Sequence, residues 1–91
     1  MATAEKSMTL TNRVGLHARP ASLFVQTAAR FKSRITVMCN GKAADARRIL
    51  EVLQLGAESG TVLQVRAEGD DAAEAIDALE TLLAGRFGEA E

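Results

Sequence analysis

The chain's only histidine, His17, lies in the run Arg13–Pro20, where a loop containing a glycine leads into a predicted helix. Pro20 marks the helix start, because proline fits the first turn, where backbone N–H groups have no intrahelical acceptor. His17 is therefore expected at or near the N-cap. The free N–H groups that follow it, together with the positive end of the helix dipole, suit a small anion such as phosphate.

A second residue of this run, Arg19, is unfavourable for the helix itself. A cation in the first turn opposes the helix dipole, which favours acidic residues there by roughly 0.3–1 kcal/mol. A guanidinium beside an imidazole would instead pair well with a phosphoryl group attached to that imidazole. The alternative is an ordinary surface histidine and arginine at a loop-to-helix junction, and the spacing alone does not decide between the two.

Size and composition indicate one domain over residues 1–91, since the 91-residue chain is 47% hydrophobic and 25% charged. No apolar run reaches transmembrane length and the first residues lack a signal-peptide stretch, so we expect a cytoplasmic protein without membrane insertion. The single cysteine, Cys39, excludes an intramolecular disulfide and is expected in the core. One histidine and one cysteine would need carboxylates to form a zinc site, so neither a metal nor a cofactor is expected.

The charges are unevenly distributed along the chain. Every charged residue from Lys6 to Lys42 is basic, whereas acidic residues prevail after Lys42. The half that carries His17 is therefore positive, which would steer docking onto an acidic protein partner. Nucleic acid is the competing partner, but three phenylalanines as the only aromatic residues offer little for base stacking, so no nucleic-acid binding is expected.

Hydrophobic periodicity predicts four strands and three helices. The strands are predicted at Ser7–Thr11, Arg34–Cys39, Lys42–Ala44 and Thr61–Ala67, with Asn40-Gly41 as the hairpin turn between the second and third. The helices are predicted from Ala18 to about Phe31, from a cap at Asp45 to about Leu55 before Gly56, and from an Asp71/Glu74 capping box to Gly85. Residues 88–91 are expected to fray.

This order of elements predicts an α+β open-faced sandwich, in which three helices cover one face of a four-stranded antiparallel sheet. The short second helix has more apolar residues than one buried face holds: Ile49, Leu50, Val52, Leu53 and Leu55. One or two of them are therefore expected to form an exposed docking patch. The alternative is a short helix that is fully buried.

Several motifs together resemble the HPr family, the histidine-containing phosphocarriers of the bacterial phosphotransferase system, over nearly the whole chain. They are Gly-Leu-His-Ala-Arg-Pro-Ala at Gly15–Ala21, then Asn40-Gly41-Lys42, Leu55-Gly56 and Ala67-Glu68-Gly69. The resemblance implies a monomeric carrier, more than an enzyme, that accepts a phosphoryl group from phosphorylated Enzyme I. The carrier would then pass that group to an EIIA protein or domain.

The resemblance also implies roles for individual residues. His17 would be phosphorylated on Nδ1, and Ala18 and Arg19 would bind the phosphoryl group. The helix N-terminus and Arg19 disfavour imidazolium, which keeps the imidazole neutral and nucleophilic. The surface that contacts Enzyme I and EIIA would centre on the apolar pair of the second helix, with two arginines beside it: Arg47, Arg48, Ile49, Leu50 and Leu53.

Arg48 departs from part of the family, because HPr proteins of Gram-positive bacteria have a regulatory serine at this position. Phosphorylation of a serine there is therefore excluded. The nitrogen-related NPr branch also lacks the serine, and its tail is loosely similar to Arg86–Glu89, so the branch stays open. Two other classes also remain: a non-phosphorylated regulatory module, and a small-anion-binding domain that uses Arg13 and Arg19 without covalent chemistry.

Overall fold

A computed structural model describes residues 2–89, which form four strands and three helices. The strands are β1 (Thr3–Thr9), β2 (Arg34–Cys39), β3 (Lys42–Asp45) and β4 (Val62–Glu68). The helices are α1 (Ala18–Ala28), α2 (Ile49–Gln54) and α3 (Ala72–Ala84), and a 3-10 turn at Arg86–Gly88 follows α3.

The strands form one antiparallel sheet in the order β1-β4-β2-β3. Alternation of side chains fixes the register, so that Val65 of β4 lies between Lys6 of β1 and Val37 of β2. On β4, Leu63, Val65 and Ala67 are buried, whereas Gln64 and Arg66, which alternate with them, are exposed. One sheet face therefore meets the helices and the other meets solvent, which confirms the predicted open-faced α+β sandwich.

The core lies between the buried sheet face and the helices. Phe24 of α1, Val52 of α2 and Leu79 of α3 are fully buried beside the inward side chains of the strands. Burial of each such side chain stabilises the fold by about 1.5–3 kcal/mol. Cys39 is buried there as predicted, and desolvation raises the pKa of its thiol against the opposing effect of Lys42.

The start of α2 differs from the prediction, since its N-cap is Arg48 rather than Asp45. Asp45 is the last residue of β3, and its Oδ1 accepts a hydrogen bond from the Arg47 N–H at 2.9 Å. An aspartate carboxylate commonly accepts a hydrogen bond from the backbone N–H two residues later in the chain. Because the Asp45 carboxylate makes this local turn, it does not cap the helix. The predicted end is confirmed, because Gly56 follows α2 with φ 64°.

The predicted capping box of α3 does not form. Asp71 is the N-cap, but its carboxylate accepts hydrogen bonds from the Lys32 N–H at 2.8 Å and from the Ser33 N–H and hydroxyl at 2.9 and 2.5 Å. The Ser33 hydroxyl and then the Lys32 N–H lower the pKa of Asp71. The carboxylate thus joins the α1–β2 connection to the start of α3.

Two other boundaries differ by three residues or more. Strand β1 begins at Thr3, earlier than predicted, because its polar first half pairs with β4 from Thr3 opposite Glu68 onward. Helix α1 ends at Ala28 rather than near Phe31, because the N–H groups of Arg30 and Phe31 turn back to the carbonyls of Thr27 and Ala28.

The expected fraying is wrong for residues 88–89. The N–H groups of Gly88 and Glu89 donate hydrogen bonds to the carbonyls of Gly85 and Arg86 at 3.0 and 2.9 Å, and Phe87 is buried. The buried ring holds the turn in place. Residues 90–91 lie outside the described residues. Within residues 2–89, no helix has the length and apolar character needed to cross a membrane.

Candidate functional site

His17 is the N-cap of α1, as predicted. Its backbone is extended (φ −82°, ψ −173°), and its carbonyl accepts the Ala21 N–H at 2.8 Å. The side chain is exposed and makes no capping hydrogen bond to the residues described. The imidazole therefore faces solvent at the positive end of an 11-residue helix.

Proline determines which backbone donors remain at this helix start. Ala18, Arg19 and Pro20 are the first three helical residues, and their backbone nitrogens have no intrahelical acceptor. Pro20 has no N–H, so the available donors are those of Ala18 and Arg19. These two residues, predicted to bind the phosphoryl group, lie directly after His17, and backbone N–H groups at a helix N-terminus suit a small anion.

The loop before His17 is held by the segment after α2. Gly15 has φ 65°, and a Cβ built there would lie 2.6 Å from the carbonyl oxygen of Ala57. The neighbouring Leu16 N–H donates a hydrogen bond to the same oxygen at 2.9 Å. Only glycine allows this close approach, which fixes the backbone two residues before the imidazole.

A cavity of about 240 Å³ lies beside the imidazole, lined by Leu16, His17, Ala18, Leu53, Gly56, Ala57 and Glu58. Leu53, one of the predicted partner-binding residues, is half-buried in this lining. The structure therefore brings α2 and the His17 loop to one surface.

The exposed part of α2 lies at its N-terminal end. Leu50 is 70% exposed and Ile49 is 37% exposed, whereas Val52 and Leu55 are buried. The predicted exposure of one or two apolar residues is confirmed. We call Ile49 and Leu50, with Arg48 beside them, the α2 patch.

The two arginines before α2 differ in their contacts. Arg47 donates hydrogen bonds from Nη2 to the carbonyls of Phe31 and Ser33, so its guanidinium is turned toward the α1–β2 connection. The Arg48 side chain is 72% exposed, with Nε 3.9 Å from Asp45 and 3.7 Å from Glu51. Arg48 is the arginine that presents its charge on the α2 patch.

Arg19 has a contact that the sequence analysis missed. Its Nη1 donates a hydrogen bond at 3.3 Å to the carbonyl of Phe87, in the turn after α3. Residues 19 and 87 belong to different local patterns, and no periodicity or motif signals their contact.

Asn12 was also missed. This fully buried side chain donates from Nδ2 to the Gly15 carbonyl at 2.8 Å and to Glu89 Oε2 at 3.3 Å. Its Oδ1 has no partner among the residues described. An asparagine before a glycine-containing loop is a common turn signal, which points to the first contact but not to the second. Across residues 2–89 no three histidine, cysteine or acidic side chains are grouped as metal ligands would be.

Comparison with known proteins identifies one family. The family model described as "PTS HPr component phosphorylation site" matches residues 4–85. The phosphocarrier protein HPr of Xylella fastidiosa is 41% identical over 85 residues, covering 93% of this chain and 96% of that protein.

Solved structures agree with the sequence comparison. The crystal structure of HPr from Thermoanaerobacter tengcongensis matches with a TM-score of 0.94 and 45% identity, covering 97% of this chain and 99% of the other. HPr from Bacillus anthracis matches with a TM-score of 0.87 and 36% identity, covering 91% and 99%. The chain belongs to the HPr family, the phosphocarrier proteins of the phosphotransferase system.

Proposed function

We propose that His17 carries the phosphoryl group, accepting it from phosphorylated Enzyme I and passing it to an EIIA protein or domain. The observation that carries this proposal is the exposed imidazole at the N-cap of α1, directly before the free N–H groups of Ala18 and Arg19. Imidazole is a nucleophile, and a helix N-terminus binds the dianion that forms on it.

Each transfer exchanges one bond to phosphorus for another. The Nδ1 lone pair of neutral His17 attacks the phosphorus, and the bond from phosphorus to Enzyme I breaks with its electron pair leaving on Enzyme I. In the second transfer a nucleophile of EIIA attacks, and the N–P bond electrons return to the imidazole. Such transfers depend mainly on positioning and charge stabilisation, so a carrier supplies one half of each site and its partner the other.

Arg19 and the backbone N–H groups supply the positive charge on this side. A charge-assisted hydrogen bond contributes about 1.5–3 kcal/mol, which is enough to change a transfer rate substantially. We infer that the guanidinium, already beside this helix end, binds the phosphoryl oxygens.

The α2 patch is the proposed docking surface. Leu50 and Ile49 provide an exposed apolar centre, Leu53 continues it toward His17, and Arg48 adds charge at its rim. This combination fits a small, transient interface with an acidic partner surface. Arg47 would contribute a more distant charge, because its guanidinium is bound to backbone carbonyls. We propose that the chain works as a monomeric single domain in the cytoplasm.

Incubation with Enzyme I and phosphoenolpyruvate, followed by intact mass measurement, tests this proposal. We expect a gain of one phosphoryl group that is stable in base and lost in acid, as a phosphohistidine is, and a return to the original mass on addition of EIIA. A noncovalent anion-binding module would show no mass gain, and that result would overturn the proposal.

A further inference from the structure

One acidic side chain, Glu51, lies within the proposed docking surface. It lines the same open depression on α2 as Arg48, Ile49 and Leu50, and 42% of its side chain is exposed. Its charge is opposite in sign to the charge that Arg48 presents at the rim of the α2 patch. A partner that covers Ile49 and Leu50 therefore also meets this carboxylate.

The Glu51 carboxylate is held in place from β3. Its Oε1 accepts a hydrogen bond from the Asp45 N–H at 3.0 Å, and its Oε2 lies 3.7 Å from Arg48 Nε. The bond to the backbone orders a side chain that would otherwise rotate freely, so the entropy of ordering it is not lost again when a partner binds. The carboxylate is therefore a preorganised charge on the surface.

The charges around Glu51 alternate in sign. Asp45 and Glu51 flank the guanidinium of Arg48, whose Nε lies 3.9 Å from Asp45 Oδ2, and Arg34 lines a second depression together with all three. Such exposed ion pairs contribute little to folding, but at an interface like charges that face each other strongly disfavour docking. A uniformly acidic partner would lose at Glu51 what it gains at Arg48, whereas a partner with a cation opposite Glu51 gains at both residues.

From these contacts, and resting on the proposed function, we propose that Glu51 determines partner specificity: Enzyme I carries a lysine or arginine that pairs with this carboxylate when it docks on the α2 patch. The partner surface is then acidic opposite Arg48 and basic opposite Glu51. Leu53 and the segment after α2, rather than Glu51, line the cavity beside His17. Glu51 therefore acts on the binding of Enzyme I and not on the transfer of the phosphoryl group.

Glu51→Gln tests this pairing, because it removes the charge and keeps an acceptor for the Asp45 N–H. In phosphorylation of the chain by Enzyme I and phosphoenolpyruvate, we expect KM for the chain to rise about threefold with kcat unchanged, as for loss of an exposed ion pair outside the reacting groups. Glu51→Lys should raise KM by about tenfold or more, because it sets like charges against each other. Glu74→Gln, the same substitution at an exposed position of α3, is the matched control and should change neither constant.

A second background separates direct pairing with Enzyme I from an effect through Arg48. In an Arg48→Ala chain, Glu51→Gln should raise KM by the same factor, because the pairing is with the partner rather than with Arg48. Loss of the effect in that background, or a KM that falls or stays unchanged in Glu51→Gln alone, would overturn the pairing and leave the proposed function intact. Absence of any phosphorylation of the unchanged chain would overturn the proposed function and the pairing with it.

Discussion

The Leu16 N–H donates a hydrogen bond to the carbonyl oxygen of Ala57 across 2.9 Å, and this bond joins the His17 loop to the segment that leaves α2. The proposed nucleophile therefore lies beside Leu53 and the C-terminal end of α2. A partner that docks on α2 would meet the imidazole in a fixed position, and fixed geometry accounts for much of the rate of a transfer reaction.

Gly15→Ala should damage this junction. The added Cβ would lie 2.6 Å from the Ala57 oxygen and force a left-handed alanine, so we expect a loss of roughly 2 kcal/mol or more in the free energy of unfolding, together with slower phosphorylation. Urea unfolding and a phosphorylation time course measure the two effects.

Gly41→Ala is the control for Gly15→Ala. Gly41 also has a positive φ, of 74°, but no atom lies within 4 Å of its added Cβ, so this variant isolates the backbone strain. We expect a smaller loss of stability and an unchanged phosphorylation rate. Equal effects of the two substitutions on both measurements would show that the contact with Ala57 does not position the loop.

Arg19→Ala should slow phosphoryl transfer more than it weakens binding to Enzyme I. Loss of one charge-assisted hydrogen bond corresponds to a rate decrease of about tenfold to a hundredfold. Rapid-quench assays with Enzyme I and with EIIA measure the two transfers, and Arg19→Lys should restore part of the rate because it keeps the charge without the planar donor set. Unchanged rates in Arg19→Ala would make the arginine a bystander.

The α2 patch predicts two separable effects on binding. Leu50→Asp should raise the dissociation rate from Enzyme I, because it places a charge in the apolar centre of the interface. Arg48→Glu should mainly lower the association rate and its dependence on salt, since rim charges act by steering. Both side chains are exposed, so both variants should fold. Stopped-flow binding across ionic strengths tests this prediction, and a Leu50→Asp variant that binds normally would contradict it.

The hydrogen bonds accepted by the Asp71 carboxylate predict that the folded chain loses stability in acid. Because the Ser33 hydroxyl and the Lys32 N–H lower its pKa in the folded state, its stabilisation is present above the unfolded pKa of about 3.9. That stabilisation is lost as the pH falls through the lower, folded pKa. Asp71→Asn should therefore unfold at lower urea concentration than the unchanged chain near neutral pH, and the difference should close toward pH 2.

Asp77→Asn serves as the control for this pH dependence, because Asp77 is exposed on α3. Its urea midpoint should follow that of the unchanged chain at every pH. A constant difference between the unchanged chain and Asp71→Asn from neutral pH to pH 2 would show that the Asp71 carboxylate is not the group responsible.

The elements set by local patterns were predicted well from the sequence. The alternation over Arg34–Cys39, the Asn40-Gly41 turn with both residues at positive φ, and the His17 N-cap depend on neighbours within a few residues, and all three are confirmed. The exposure of one or two apolar residues of α2 followed from their crowding on one short helix, whereas the family resemblance singled out Ile49 and Leu50.

The error at α3 arose because one side chain had both a local and a distant partner available. Asp71 has the spacing of a capping box, but the donors of Lys32 and Ser33, brought close by the fold, take its carboxylate. The contacts of Arg19 with Phe87 and of Asn12 with Glu89 form because the fold brings the segment after α3 next to the His17 loop. Residue spacing in the sequence does not predict that proximity. The position of His17 at the helix N-cap was therefore predictable, but the contacts around it were not.

Localisation of the phosphoryl group tests the central claim most directly. The chain and its His17→Ala variant would be incubated with Enzyme I and phosphoenolpyruvate, and the phosphorylated nitrogen identified by phosphorus NMR and fragmentation at alkaline pH. We predict a single phosphoryl group on Nδ1 of His17, and none on a His17→Ala variant whose stability is nearly unchanged, since the exposed imidazole is not part of the core. A phosphoryl group on another residue, or its retention by the folded His17→Ala variant, would contradict the account.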